Sequence, residues 1–145
     1  MKQKKFKTVI KASKEEVWSV LWSDVTYPIW TAPFCEGSRA ETDWQEGSRI
    51  LFLGSNNNGM VSRILSKIVN QYMSFEHQGI IENGKEDVTG ADAKSVQGAQ
   101  ENYILQEKDG RTELEVVVDI TEAYSEYFQK AFPKALQIVK ELSEK

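Results

Sequence analysis

His77 is the only histidine in the chain and Cys35 the only cysteine, so imidazole or thiolate chemistry would rest on those two positions. No motif around either residue supports a Cys35–His77 nucleophilic pair. One histidine and one cysteine exclude a zinc centre built from three or four such ligands, and no calcium-loop spacing is present. A carboxylate-rich site for a hard cation stays open by composition, but no metal site and no cofactor are expected. The adjacent carboxylates Glu15-Glu16 and Glu86-Asp87 fall at a helix start and in a turn-rich segment, where solvation accounts for them. Three polar residues stand out against apolar strand faces. His77 shares one face of a long strand with Met73 and Phe75, and Glu101 shares one face of another with Tyr103 and Leu105. The plain alternatives are a partly exposed histidine near a strand end and a surface carboxylate. An apolar wall carrying a histidine, a carboxylate and a phenol also matches a small-molecule pocket, where a few polar groups orient the ligand.

The elements that would position these residues read as follows. Lys5 to Ala12 alternates in the manner of a half-buried strand. Ser13 and Glu16 form a capping box that opens a short helix burying Val17, Trp18, Leu21 and Trp22, with Ala12 stapled against Val17. A second short helix lies around Tyr27 to Trp30, held short by flanking prolines. Strands are expected over Ser38–Trp44, Arg49–Leu53, Met60–Ile68, Gln71–Ile81, Glu101–Glu107 and Thr112–Ile120. Asp109-Gly110 suits a type I′ turn between the last two. Asp87 to Gly98 is polar, a loop with one turn of helix over a sheet edge. Hairpin-linked strands give an antiparallel sheet, and the first strand can pair with a late one.

The chain closes on its longest periodic stretch. Tyr124, Phe128, Ala131, Ala135, Ile138 and Leu142 recur at alternating four- and three-residue spacing, widened by Tyr127, Phe132, Leu136 and Val139. A helix over about Glu122 to Ser143 is predicted, roughly 30 Å long, with a kink or break near Ala131 to Pro133. A curved sheet around this one long helix would bury the apolar faces of both. The stripe narrows at Ala131 and Ala135. Either the helix sits close to the sheet there, as close-packed interiors favour, or the alanines leave room for a ligand. On the second reading Ala135→Phe would change stability little and abolish binding of an apolar probe.

At 145 residues one domain spanning 1–145 is expected. The net charge of −4 argues against nucleic acid as a partner. No apolar run is long enough to span a membrane and the N-terminus has no signal-peptide core, so a cytoplasmic location is the simplest expectation. The four tryptophans, Trp18, Trp22, Trp30 and Trp44, read first as core filling.

Several short motifs carry a resemblance across essentially the whole chain. They are Ile10-Lys11-Ala12-Ser13-Lys14-Glu15-Glu16-Val17-Trp18, Trp30, Phe34-x-x-Gly37-Ser38, Trp44-x-x-Gly47-Ser48, Phe75-x-His77-x-Gly79, Glu101-x-Tyr103, and Phe132-Pro133-x-Ala135-Leu136-x-x-Val139-Lys140. Together they resemble the START-like SRPBCC superfamily, most of all its AHSA-type branch, named after the activator of the heat-shock chaperone ATPase. The resemblance implies an α+β helix-grip fold: two short helices after the first strand, and an antiparallel sheet of six to seven strands curved around the C-terminal helix, with a cavity between. Relatives bind lipids, sterols, plant hormones or polyketides, and some are cyclases. No universal catalytic residue carries over, and a shared fold does not set function. The expected function is binding of an apolar or amphipathic small molecule in that cavity. Its candidate ligand-binding residues are Trp30, Phe34, Phe52, Phe75, His77, Glu101, Tyr103, Phe128, Ala131, Phe132 and Ala135. The alternatives are a co-chaperone-like interaction module with a chaperone partner, and a cyclase- or hydrolase-like enzyme using the cavity. A binding protein is favoured over an enzyme.

Overall fold

In a computed structural model describing residues 1–145, the first strand, β1 (Lys2–Ile10), turns Phe6, Thr8 and Ile10 inward and most of its lysines outward. It starts before the expected strand and ends sooner, because a sheet edge tolerates a lysine-rich outer face and the chain turns at Ala12 to enter a helix. Ser13 caps that helix, α1 (Lys14–Trp22), its Oγ accepting from the Glu16 N–H at 3.2 Å. Ser13→Ala is expected to lower stability by about 0.5–2 kcal/mol, and an unchanged denaturation midpoint would show that the cap contributes nothing. Val17, Leu21 and Trp22 form the buried face of α1. The short α2 (Tyr27–Trp30) is tied to it by the Trp30 indole N–H, which donates to the Leu21 carbonyl at 3.0 Å.

Seven further strands follow: β2 (Arg39–Glu41), β3 (Arg49–Leu53), β4 (Gly59–Ile68), β5 (Tyr72–Glu82), β6 (Lys85–Asp87), β7 (Gln100–Lys108) and β8 (Arg111–Ile120). The helix α3 (Ala91–Val96) lies between β6 and β7, and α4 (Glu122–Glu144) ends the chain. The sheet runs β1-β8-β7-β5-β4-β3-β2, with β6 pairing on β5, and all the strand pairings are antiparallel. Asp109 (φ 56°) and Gly110 (φ 78°) take the two positive-φ positions of the expected tight turn. Asn83 (φ 51°) and Gly84 (φ 80°) do the same after β5. That second hairpin creates β6, a strand the polar composition of the segment concealed. The strand expected over Ser38–Trp44 shrinks to three residues. Trp44 leaves extended backbone at φ 60°, and its ring lies 5.4 Å from that of Trp22, so packing overrides local strand preference.

The last helix matches its expected span, but its buried face does not follow the whole stripe. Ala131, Phe132, Ala135, Leu136, Val139 and Ser143 are buried. Tyr124 and Tyr127 are 57% and 44% exposed, and Ile138 and Leu142 only half-buried. Helix α4 also runs through Pro133 without the expected break. Gln129 and Pro133 both face outward, where water can satisfy the carbonyl that proline leaves unpaired. The core joins the C-terminal half of α4 to the sheet and to α1. Phe132 stacks on Phe6 with ring centroids 4.7 Å apart.

Candidate functional site

The sheet and the N-terminal half of α4 do not close on each other, and a cavity of two adjoining lobes lies between them. The first lobe has a volume of about 260 Å³. Val118 and Ile120 of β8, Val96 of α3 and Ala99 after it, and Tyr124 of α4 line it. The second has about 240 Å³ and is lined by Tyr27, Trp30, Phe34, Phe52 and Tyr103. Met60, His77, Glu101, Tyr127, Phe128 and Phe132 border both lobes and so mark their junction.

The polar groups at that junction form a chain. A register shift between Val61 and Ser62 brings Ser62 of β4 opposite His77 of β5. Ser62 Oγ then sits 2.6 Å from His77 Nδ1. Ser62 is fully buried and borders neither lobe. It therefore orients the imidazole and cannot act as a nucleophile toward the cavity. On the other side, His77 Nε2 lies 3.8 Å from Glu101 Oε1, beyond hydrogen-bond reach. Glu101 Oε2 accepts from the Tyr103 hydroxyl at 2.6 Å. The period-two alternation of β7 puts Glu101 and Tyr103 on one face. Cys35 also borders the second lobe, but its thiol donates to the Glu36 carbonyl (3.6 Å) and forms no hydrogen bond with His77.

Eight of the eleven sequence-selected residues border the cavity: Trp30, Phe34, Phe52, His77, Glu101, Tyr103, Phe128 and Phe132. The other three do not. Phe75 is fully buried behind the wall, edge-on to Phe52 at 5.2 Å. Ala131 and Ala135 are buried and border neither lobe, so at their level the helix sits close to its neighbours. The open space lies instead one to two turns earlier, beside Tyr124, Tyr127 and Phe128. Sequence reasoning missed Met60, Ser62 and the α3 segment. Asn83-Gly84 is the one local signal that could have revealed the extra hairpin leading to α3.

Burial, and then the charge and hydrogen bond of Glu101, hold the Tyr103 phenol well above its ordinary pKa. Burial and the same carboxylate also raise Tyr27. In the unfolded chain both phenols ionise near pH 10. Above that pH the unfolded state binds fewer protons than the native state, so unfolding becomes easier. Their stabilising contribution is complete below about pH 10 and is lost as pH rises toward the folded-state values. Denaturant midpoints measured on either side of pH 10 should fall, and should fall less steeply in Tyr103→Phe. Equal slopes in the two proteins would contradict this role.

An antiparallel sheet gripping one long helix, with a cavity between them, defines the START-like helix-grip class of α+β proteins. No protein-family model matches the sequence, and a search of curated proteins finds no match. Solved structures do match. The Aha1 dimer from Colwellia psychrerythraea, of the AHSA type, superposes with a TM-score of 0.74 at 18% identity, covering 99% of this chain and 97% of that one. Protein MLL2253 from Mesorhizobium loti gives 0.77 at 11% identity over 97% and 96% of the two chains. CalU16 from Micromonospora echinospora gives 0.66 at 16% identity over 95% and 71%. At these identities the likeness is one of fold.

Proposed function

We propose that this protein binds a small, largely apolar molecule whose polar end sits between His77 and Glu101. The observation that carries the reading is the 3.8 Å gap between His77 Nε2 and Glu101 Oε1, at the junction of two lobes with otherwise mainly apolar walls. Each partner is held from behind, His77 by Ser62 and Glu101 by Tyr103. Two fixed polar groups side by side, close enough for one ligand atom to reach both from the cavity, orient a ligand, while the aromatic and aliphatic walls supply affinity by removing apolar area from water. No thiol or hydroxyl nucleophile is hydrogen-bonded to the imidazole from within the cavity, which supports binding over covalent catalysis.

The test uses naphthalenemethanol, an apolar body with a neutral hydroxyl. Calorimetry should show saturable one-to-one binding. Met60→Trp should remove it while the protein stays folded, because Met60 is half-buried at the junction of the lobes. Failure of the parent protein to bind any probe with this naphthyl body, or unchanged binding to Met60→Trp, would overturn the reading.

A further inference from the structure

The cavity carries a charge asymmetry that narrows its ligand. Neither lobe is lined by a lysine or an arginine. One carboxylate faces the space, Glu101 at the junction; Asp119 runs along the first lobe but alternates with Val118 and Ile120, so its side chain belongs to the other face of β8. Glu101 Oε2 accepts from Tyr103, but the carboxylate forms no salt bridge with lysine or arginine. A carboxylate beside apolar walls, with no lysine or arginine at the junction and Met1 only at the exposed rim of the first lobe, leaves a junction that repels an anion and favours a positive charge. The histidine points the same way. His77 is only 8% exposed, and its Nε2 borders the cavity without a hydrogen-bond partner. With the ring proton on Nδ1 donating to Ser62 Oγ, Nε2 offers a lone pair to the cavity beside Glu101 Oε1. Tyr127, Phe128 and Phe132 of α4 border the same junction, and aromatic ring faces attract cations.

We infer that the ligand is an apolar amine, its ammonium group donating to Glu101 Oε1 and His77 Nε2 and its hydrocarbon body filling the lobes, and that fatty acids and other anionic amphiphiles are excluded. The inference rests on the small-molecule reading above and adds the charge of the ligand's head.

Three probes share one body and differ in head: naphthylmethylamine, naphthalenemethanol and naphthoate. Titrated calorimetrically at about pH 8, where the amine is charged, the amine should bind tightest, with naphthoate at least about tenfold weaker, the effect of one charge-assisted hydrogen bond. Glu101→Gln keeps an acceptor for Tyr103 and removes the charge. It should weaken amine binding about tenfold and leave the alcohol nearly unchanged. Naphthoate binding as tightly as the amine would overturn the inference, as would an amine preference that survives in Glu101→Gln. If the alcohol binds without any amine preference, only the cationic head is refuted. If none of the three binds, the small-molecule reading falls with it.

Discussion

Trp22→Ala should lower the free energy of unfolding by about 3–5 kcal/mol, the usual cost of emptying a large aromatic site. Trp22 is the hub of the aromatic cluster. Its ring meets those of Trp18 and Trp30 at 6.2 Å, Trp44 and Phe75 at 5.4 Å, and Tyr103 at 5.0 Å, four of the five edge-on. Edge-to-face pairs add to area burial, and these join α1 and α2 to β5 and β7. The loss is a large share of the roughly 5–15 kcal/mol that a domain has in total, so the variant should be partly unfolded at modest denaturant. Trp18→Ala should cost less, because Trp18 is only half-buried. Trp22→Phe should be milder than Trp22→Ala for a second reason. The Trp22 indole N–H is buried without a hydrogen-bond partner, and phenylalanine removes that unsatisfied donor along with part of the ring. Equal costs for Trp22→Ala and Trp18→Ala in equilibrium denaturation would show that the cluster has no hub.

Ala135→Phe should destabilise by about 1–3 kcal/mol through overpacking. The expectation from the sequence was a tolerated ring filling an open pocket. The structure reverses it, because Ala135 is fully buried in the same core cluster as Phe132, Leu136 and Val139 and borders neither lobe. The fraction of this variant that remains folded should still bind naphthalenemethanol. Unchanged stability with lost binding would place the cavity a full turn further along α4 than described.

The sequence by itself determined the elements whose signals are local. The four-three spacing from Tyr124 to Leu142 specified α4, Ser13 and Glu16 specified the start of α1, and Asp109-Gly110 specified the hairpin between β7 and β8, since each depends on backbone geometry within a few residues. Alternation along β7 was enough to set Glu101 and Tyr103 on one face. Tertiary structure alone decided the rest. Apolar spacing reads the same for a residue packed in a core and one facing a void, so the stripe could not tell Ala135, buried solid, from Phe128, which walls the cavity. The sequence gives no sign of the register shift after Val61, yet that shift is what sets Ser62 against His77 and aims the imidazole at Glu101. A contact between β4, β5 and β7 depends on how three strands align in the sheet, and no single strand carries that information.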